Sequence, residues 1–458
     1  MDGMIPHGVE RNRNAACVLY VGEAKGCPLA EFVCEGLRRR LGREYRNVSV
    51  VPDVQDIYAE PNAIVVNPRA RRLSQERGAR VAVRPSGAEF LRAVSDSETV
   101  RQAVRRILDQ QDGLFVWMFE SRPGLALLDM PGVRLLGPDP RLAQTLNSKL
   151  WQYRELSALV PVPDYRICDG REELLDALPD LLSRWPDGVF VSLERSAGGA
   201  QSMVARTPEA VAERFTDARA RYLVTRYLPH THDPTVLAVA AGERDVFVAG
   251  VADQRIEGGN RFTGSTWPSV LPAALQEALG ECVRRIGRRL GRAGYRGIFG
   301  CDFIVDARGD YRLVEVNARK QGTTMEFCCM LDQALPAGAP NLLELEYCAV
   351  TGSAFPENTA PPRADGPPLH WGTFNHKALT PAATGRFLSQ EMAERDLFRR
   401  VAGGGEGGCL FLEHVGADVQ VEAGCFLGRV AAVDSTRDGM LSRLQEGRRR
   451  LADSLAAR

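Results

Sequence analysis

Short apolar runs alternate with longer amphipathic stretches over the first third of the chain. ACVLYVG (16–22) and GLFVWMF (113–119) are typical of buried strands, whereas AEFVCEGLRRRLG (30–42) repeats its apolar residues with the period of a helix. The run RVAV (80–83) fits the same alternation. Because strands that alternate with helices form parallel sheets, residues 1–145 are predicted to be an α/β domain.

The pattern changes twice further along the chain. A helical stretch, LAQTLNSKLWQYRELSALV (142–160), precedes strand-like runs such as GVFVSL (188–193). Residues 272–293 predict a helix with leucines on one face and arginines on the other. These arginines suit either RNA binding or a solvated face, and the solvated face is the better interpretation. A Pro-rich linker, PENTAPPRADGPP (356–368), then leads into another small α/β unit.

The composition of the chain limits the classes of molecule that could be its main partner. The chain has 58 basic and 58 acidic residues, which argues against nucleic acid or a membrane surface as the main partner. Its 11 cysteines include no CxxC pair, which favours a reduced protein of the cytoplasm. No apolar run approaches the ~20 residues that span a bilayer, and the N-terminus lacks the layout of a signal peptide. A mechanism that needs a lysine has few candidates, namely Lys25, Lys149, Lys320 and Lys377.

A candidate site lies in the stretch CDFIVDARGDYRLVEVNARKQGTT (301–324). Two strand-like halves flank a turn signal, ARGD, and predict a β-hairpin. If the turn is centred on Arg308-Gly309, Asp302 faces Glu315 with Cβ atoms about 5 Å apart. Asn317 is expected on the same face, because side chains alternate along a strand. The opposite face is predicted to be apolar, with Phe303, Val305, Val314 and Val316.

Like charges that face each other destabilise a ladder, so this pair requires compensation. A bound dication would remove the repulsion, and carboxylate and amide oxygens are ligands that suit Mg²⁺. Arg319, two residues beyond Asn317, would then supply a fixed cation for a phosphate or a carboxylate. The spacing leaves one alternative open, which is a solvated pair on an exposed sheet face.

The run DFIVDARGDYRLVEVNAR (302–319) resembles the metal-binding signature of the ATP-grasp enzymes. The resemblance implies that Asp302, Glu315 and Asn317 hold Mg²⁺ against ATP, and that Arg319 faces the phosphates as a catalytic residue. NSKLWQYRELSALVPVPDYRI (147–167) is similar to the opening lysine segment of the family, which implies that Lys149 reaches an ATP phosphate.

A glycine-containing segment, GVFVSLERSAGGAQSMV (188–204), resembles the hairpin that covers the triphosphate in this family. Its backbone N–H groups could approach phosphate oxygens, because glycine removes the Cβ obstacle. The family has a Lys or Arg on the first strand, near Ser192 or Leu193, and this chain has neither. The implied ATP contacts are Arg195, Ser196, Gly198 and Gly199.

The next segment, YLVTRYLPHTHDPTVLAV (222–239), resembles the hinge that binds adenine. The family carries a Glu just before this hinge, where this chain has Thr225. His230 and His232 are interpreted as surface residues. The implied nucleotide contacts are Arg226, Tyr227 and Leu228 for adenine and Asp233 for the ribose.

The resemblance implies the ATP-grasp fold, in which two α+β subdomains clamp ATP, with ATP and Mg²⁺ as cofactors. On that interpretation residues 1–145 form an N-terminal α/β domain and residues 355–458 a C-terminal α/β extension. Between them lie the small subdomain, 146–235, and the large subdomain with the metal-binding hairpin, 236–354.

The resemblance also implies a ligase that joins a carboxylate to an amine. The carboxylate would be phosphorylated by ATP, and the amine would then displace phosphate from the acyl phosphate. Lys149 and Arg319 would stabilise the charge that moves with the phosphoryl group. Arg255, as a third catalytic residue, and a loop GSTWP (264–268) would shape the acceptor side, while QGTT (321–324) would contact the second substrate.

Within the family, the whole chain most resembles a stand-alone peptide ligase of antibiotic biosynthesis. That implies two substrates, a guanidino-substituted amino acid with a carboxylate to be activated and a peptide with an N-terminal amine. Two alternatives stay open, a ligase of small amino acids of the D-alanine:D-alanine type and a non-catalytic ATP-binding scaffold. A homodimer also stays open as the assembly.

Overall fold

The computed structural model describes residues 15–52, 62–195, 201–258, 261–363, 366–385, 392–411 and 415–456. The strands are β1 (Ala16–Val21), β2 (Tyr45–Val51), β3 (Ala63–Val65), β4 (Arg80–Ala82), β5 (Leu114–Trp117), β6 (Val133–Leu136), β7 (Tyr165–Asp169), β8 (Val189–Leu193), β9 (Ser202–Ala205), β10 (Arg221–Arg226), β11 (Pro234–Ala240), β12 (Val246–Glu257), β13 (Arg261–Trp267), β14 (Gly297–Val305), β15 (Tyr311–Asn317), β16 (His370–Lys377), β17 (Ala382–Ala383), β18 (Gly408–Phe411), β19 (Val419–Val421) and β20 (Phe426–Asp434). The helices are α1 (Ala30–Leu41), α2 (Pro68–Arg77), α3 (Gly87–Asp96), α4 (Glu98–Leu108), α5 (Pro140–Leu146), α6 (Lys149–Leu156), α7 (Arg171–Arg184), α8 (Pro208–Arg214), α9 (Ala273–Arg292), α10 (Thr324–Ala334), α11 (Leu342–Gly352), α12 (Glu394–Ala402) and α13 (Arg437–Ala456), with short 3₁₀ helices at Ala24–Leu29 and Ala126–Asp129.

The first sheet is parallel and has the order β3-β2-β1-β5-β6. The chain builds one side of β1 with β2 and β3 and then crosses to the other side with β5 and β6. This arrangement confirms a parallel α/β fold for the first part of the chain, with one exception. The run RVAV lies outside this sheet, because β4 pairs with β19 and Ala82 is buried against Val419 and Val421.

The second sheet is antiparallel, with the order β7-β10-β8-β9. Helix α7 covers it with Leu174 and Leu178, which are buried in the same apolar cluster as Val191. The single helix predicted over 142–160 is divided into α5 and α6. The division occurs because the side chain of Asn147 accepts a hydrogen bond from Ala318 N at 2.7 Å, after which a new helix begins.

The third sheet has the order β15-β14-β11-β12-β13-β16-β20-β18 and joins two parts of the chain that the linker separates. Trp267 on β13 pairs with Trp371 on β16, so the C-terminal strands continue the sheet across the predicted boundary at residue 355. GSTWP was expected to be a loop, but residues 264–267 belong to strand β13. The difference arises because β13 is an interior strand of the sheet, with a partner strand on both sides.

Helix α9 packs on this sheet through Leu279, Ile286 and Leu290. Its arginines face outward and pair with acidic residues; Arg284 lies 3.0 Å from Glu277. These pairs support the interpretation of a solvated helix face.

The β14–β15 hairpin has the predicted register next to the candidate site. Asp302 pairs with Glu315, and Gly300 pairs with Asn317. Beyond Asp302 the register shifts by one residue, so that Phe303 pairs with Leu313. Val314, which was predicted on the apolar face, is the extra residue of this bulge and lines the same cleft as Glu315.

The structure also bears on membrane insertion and on disulfide bonding. In the ranges that the structure describes, no helix combines the length and the apolar character needed to cross a bilayer. All 11 cysteines lie within those ranges, and none of them forms a disulfide there.

Candidate active site

A cleft of about 830 Å³ lies where the three large sheets meet. One wall comes from the carboxyl ends of β1 and β5, where Gly22 and Phe119 follow the strands. The β14–β15 hairpin forms a second wall, and the region around Lys377 and Phe426 forms a third. The volume is in the range of sites that enclose small organic ligands.

Asp302 lies on β14 within this cleft, surrounded by hydrogen-bond donors. Its Oδ1 accepts hydrogen bonds from Thr235 Oγ1 and from Gln254 Nε2, each at 2.7 Å. Gln321 Nε2 donates to the same oxygen at 3.1 Å, and Asn317 Nδ2 donates to Oδ2 at 2.8 Å. Side chains from β11, β12, β15 and the segment after β15 therefore fix the orientation of this carboxyl group.

The electrostatic environment favours the neutral form of Asp302. Burial raises the pKa of its carboxyl group, and the facing carboxylate of Glu315 raises it further, to about 6. Hydrogen bonds from Thr235 and Gln321 and the charge of Arg319 act in the other direction and only partly offset these effects. A cation between the two carboxylates would stabilise the charged form of both.

Glu315 pairs with the ammonium group of Lys149 across the cleft. Lys149 begins helix α6, and its backbone N–H donates to Glu194 O at 3.0 Å. Ser148 caps the helix and donates from its hydroxyl group to Glu194 Oε1 at 2.7 Å. The residue after β8 thus fixes the first turn of α6, and with it the lysine that faces Glu315.

Asn317 follows Glu315 by two positions and is buried on the same face of β15. Arg319 Nη2 donates to Asn317 Oδ1 at 2.7 Å, which holds the guanidinium group beside the amide. Asp302, Glu315, Asn317, Lys149 and Arg319 therefore all line one cleft.

The predicted adenine hinge lines the same cleft. Arg226 ends β10, Tyr227 and Leu228 follow it, and Asp233 precedes β11. Thr225, the residue that replaces the usual Glu, is buried and lines the cleft, and its hydroxyl group lies 3.5 Å from Phe190 O. The hinge residues are thus gathered around the cleft with the carboxylates.

His230 also lines this cleft, although the sequence suggested a surface residue. Its Nε2 lies 3.0 Å from Asp233 Oδ1, and its Nδ1 lies 2.7 Å from Leu228 O. The hydrogen bond to Asp233 raises the pKa of His230, although burial opposes this effect. Because both ring nitrogens face acceptors, the environment favours the imidazolium form next to the carboxylate predicted to contact ribose.

Two arginines assigned from the sequence do not line the cleft. Arg255 follows Gln254 on β12, so its side chain lies on the other face of the strand, near Arg448 and Glu257. Burial and the charge of Arg448 lower the pKa of Arg255. Arg195 is exposed and lies 3.8 Å from Glu194.

The remaining phosphate contacts assigned from the sequence, Ser196, Gly198 and Gly199, lie outside the described residues. On β8, where the family carries a lysine or arginine, the residues that line the cleft are Phe190 and the buried Ser192. Among the residues that do line the cleft near the hairpin, Lys149 and Arg319 carry the positive charge.

The side chains that orient Asp302 are not predicted from the sequence. Thr235 and Gln254 come from strands that are distant from the hairpin in sequence, so no local pattern marks them. Gln321 was assigned to the second substrate, but its amide donates to Asp302. Gly300 is the one local signal, because a Cβ atom there would lie 2.0 Å from the Gln321 side chain.

The oxygen atoms around Asp302 suit a hard dication. Asp302, Glu315 and Asn317 offer two carboxylates and an amide, and Mg²⁺ commonly takes a few such protein ligands together with water and phosphate oxygens. In the described part of the chain, no cluster gathers three or more His, Cys, Asp or Glu side chains that could hold a metal. The candidate site thus supplies two acidic side chains. The Asn317 amide and oxygens of phosphate or water would have to complete the coordination shell.

Comparison with known families and structures identifies the fold. Residues 146–323 match the family model of the ATP-grasp domain. A search of curated proteins gives no match to the chain.

Several solved structures superpose on nearly the whole chain. Biotin carboxylase from Campylobacter jejuni, in a β,γ-ATP complex, has a TM-score of 0.63 and 14% identity and covers 95% of this chain and 91% of its own. Carboxyaminoimidazole ribonucleotide synthase from Aspergillus clavatus, complexed with ATP, has a TM-score of 0.58 and 13% identity, with coverages of 95% and 99%.

A third similar structure is the biotin carboxylase domain of 2-oxoglutarate carboxylase from Hydrogenobacter thermophilus. It is a dimer in complex with MgADP, ADP and bicarbonate. The TM-score is 0.61 at 14% identity, with 95% of this chain and 90% of that chain covered. Such low identities establish the fold alone, and the fold of this chain is the ATP-grasp fold.

Proposed function

We propose that this protein is an ATP-dependent ligase that joins a carboxylate to an amine through an acyl phosphate and releases ADP and phosphate. The proposal rests on one observation above all. Two facing carboxylates, Asp302 and Glu315, share a cleft with Asn317, Lys149 and Arg319, in a fold whose solved representatives hold ATP or MgADP.

The proposal assigns particular residues of the cleft to Mg²⁺ and to ATP. Asp302, Glu315 and Asn317 would hold Mg²⁺, and the hinge residues Arg226 to Leu228 would contact adenine. When bound, Mg²⁺ neutralises the negative charge of the β- and γ-phosphates. Lys149 would exchange its present partner, Glu315, for a phosphate oxygen once the dication neutralises that carboxylate.

The two chemical steps depend more on positioned substrates and on stabilisation of negative charge than on a nucleophilic side chain of the protein. An oxygen of the substrate carboxylate attacks the γ-phosphorus, the bond to the β-phosphate oxygen breaks, and ADP leaves. The amine nitrogen then attacks the acyl carbon, the carbon–oxygen bond to phosphate breaks, and the nitrogen loses a proton. Lys149 and Arg319 stabilise the negative charge in the first step, because both cations border the cleft next to the carboxylates.

We further propose that the substrates are an amino acid and a peptide. Resemblance of the whole chain to the peptide ligase of pheganomycin biosynthesis supports this choice, and it specifies a guanidino-substituted, nonproteinogenic amino acid as the activated acid. The peptide would then react through its N-terminal amine. The absence of disulfides among the 11 cysteines supports a site of action in the cytoplasm.

The test is a mass-spectrometric screen of amino-acid and peptide pairs with ATP and Mg²⁺. We expect ADP and phosphate to accumulate only when an acid and an amine are both present, together with a product whose mass is the sum of the two substrates less one water. A product from two free amino acids would favour a small amino-acid ligase instead. Release of neither ADP nor a condensed product from any pair would leave a non-catalytic scaffold as the better account.

A further inference from the structure

A cluster of arginines lies on the face of the large sheet that is opposite the cleft. Side chains alternate along a strand, so Arg255 and Glu257 on β12 project to the other side from Gln254, which lines the cleft. Arg261, on β13, is the cross-strand neighbour of Glu257. Arg448 comes from helix α13, which packs on this face of the sheet.

An aromatic ring supports Arg448 from below. Its guanidinium carbon lies 4.0 Å from the ring centroid of Phe374 on β16, which is within the range of a cation–π contact. Phe374 is buried together with Met440 and Leu444 of α13. His376 is the next residue of β16 on the same face, and its ring centroid lies 5.9 Å from that of Phe374. The cluster thus has a packed base of aromatic and apolar side chains.

One carboxylate faces the three arginines. Glu257 lies 2.8 Å from Arg261 Nη2 and 3.6 Å from Arg448 Nη2. Among the residues that the structure describes, the guanidinium group of Arg255 has no hydrogen-bond or ion-pair partner. Three positive charges and one negative charge therefore leave two positive charges on this face.

The pKa values of two neighbouring groups reflect this excess charge. Arg255 is half-buried, and burial together with the charge of Arg448 lowers the pKa of its guanidinium group. Burial and the charges of Arg448 and Arg261 also lower the pKa of His376. Both groups therefore lie in a positive potential that Glu257 does not cancel.

Other charged groups near the cluster have partners of their own. Asp253 precedes Arg255 by two residues on the same face of β12, and it accepts a hydrogen bond from Ser269 Oγ at 2.5 Å. Arg443, one turn before Arg448 on α13, lies 2.7 Å from Asp434. The unbalanced charge is thus confined to the cluster of Arg255, Arg261 and Arg448.

We propose that Arg255, Arg261 and Arg448 bind a doubly charged phosphate group, either inorganic phosphate or a phosphate monoester. Guanidinium groups donate hydrogen bonds in a planar fork that matches the oxygens of phosphate. A phosphate monoester carries about −1.5 to −2 charges at neutral pH, which matches the two positive charges of the cluster. The bound group would bridge β12, β13 and α13.

The location separates this site from the proposed ATP site. Arg255 and Gln254 are neighbours in β12 and lie on opposite faces of the sheet. A phosphate group at the cluster would therefore leave the cleft open to ATP. The proposal goes beyond the ligase function and does not depend on it.

The test is isothermal titration calorimetry with inorganic phosphate, at low ionic strength and without Mg²⁺ or ATP. We expect Arg255→Gln and Arg448→Gln each to weaken phosphate binding by about 10-fold, as for loss of one hydrogen bond between charged groups. Arg449→Gln is the matched control, since this side chain of α13 is 70% exposed, and it should bind phosphate as the parent does. If one cluster variant does not fold, as judged by circular dichroism, the other decides the result.

Arg319→Gln distinguishes the cluster from the cleft. It should keep the phosphate binding that depends on Arg255, because Arg319 lines the cleft on the other face of the sheet. Binding that is lost in Arg319→Gln and kept in Arg255→Gln would place the anion in the cleft and overturn the proposal. Failure of the parent to bind phosphate would overturn it as well.

Competition experiments with the parent identify the form of the ligand. Displacement of inorganic phosphate by phenyl phosphate would assign phosphate monoesters to the site, and failure to displace it would assign the free anion. Acetate carries a single charge, so it should displace phosphate at least about 10-fold less effectively. Displacement by acetate at the same concentration as phenyl phosphate or phosphate would contradict a site for a doubly charged group.

Discussion

At the residue scale, the environment of Asp302 penalises the charged form of its carboxyl group, and this penalty costs the metal-free protein stability at neutral pH. Four side chains donate hydrogen bonds to its carboxyl group, yet burial and Glu315 still raise its pKa to about 6. Such an acid binds a proton or a cation more readily than an exposed aspartate does.

Asp302→Asn is therefore expected to change how stability depends on pH. The ordinary pKa of 3.8 rises to about 6 on folding, so the folded protein retains a proton that the unfolded chain releases between these values. The stability contributed by Asp302 is present below about pH 4 and is lost as pH rises through about 6. Urea unfolding without divalent cations should show that the variant gains more over the parent at pH 7 than at pH 4.

The control for this measurement is Asp180→Asn, an exposed aspartate on α7. Its difference from the parent should not grow from pH 4 to pH 7 in the same way. A difference for Asp302→Asn that is equal at the two pH values would contradict the account of its environment.

At the element scale, the β14–β15 hairpin shows what the sequence can predict. The turn signal and the alternation of side chains correctly predict that Asp302 faces Glu315 and that Asn317 shares their face. The bulge was not predictable from the hairpin alone, since its cause lies elsewhere in the chain. Leu313 N donates to Pro161 O, and Val316 N donates to Gln152 Oε1. Two N–H groups that donate to segments outside the hairpin are therefore three residues apart on β15. A regular strand repeats every two residues, and the extra residue allows both bonds.

Gly264→Ala is expected to disrupt the junction of β13 with β16. The glycine has φ +157°, and a Cβ atom there would lie 2.0 Å from the carbonyl oxygen of Thr373. Because that oxygen is part of a strand backbone, it cannot move aside without breaking the sheet. We expect a loss of more than about 3 kcal/mol in the free energy of unfolding, measured by urea unfolding.

Gly352→Ala is the matched control, since nothing lies within 4 Å of a Cβ atom at that position. It should change the free energy of unfolding by less than about 0.5 kcal/mol. Similar effects of the two substitutions would show that the close approach at Gly264 is not what limits the sheet.

At the scale of the whole molecule, Arg395 connects three parts of the chain. It lies on α12 and donates to Glu31 on α1 at 2.7 Å and to Asp332 on α10 at 2.9 Å. It is buried and also stacks on Phe32, with 4.5 Å between the guanidinium carbon and the ring centroid. The C-terminal extension is thereby tied to helix α1 of the first α/β domain and to helix α10.

Arg395→Met is expected to lower the free energy of unfolding by about 3–5 kcal/mol, because it leaves acidic groups without their buried partner. Arg399→Met on the same helix is the control; its side chain is 47% exposed and lies 3.5 Å from Asp332. That substitution should cost less than about 1 kcal/mol. Equal losses in the two variants, measured by urea unfolding, would contradict the linking role of Arg395.

The features that the sequence predicted arise from residues that are close together in the chain, whereas the features that it missed arise from contacts between distant segments. Local patterns correctly predicted the parallel sheet of the first domain, the helix α9 and the register around Asp302. The donors Thr235 and Gln254 and the strand partner of β4 depend on segments far apart in sequence. A single chain carries no local signal for such contacts, since they form only when the sheets meet.

The central claim is that Asp302, Glu315 and Asn317 form a Mg²⁺ site for ATP. Its most direct test is the affinity for ATP, measured by isothermal titration calorimetry with and without Mg²⁺, in the parent and in Glu315→Gln, with exposed Glu277→Gln on α9 as control. We predict that Mg²⁺ strengthens ATP binding by about 10-fold or more in the parent and in the control, and that Glu315→Gln loses most of this effect. ATP binding that is equally strong with and without Mg²⁺, or a Glu315→Gln variant that keeps the full effect of Mg²⁺, would contradict the claim.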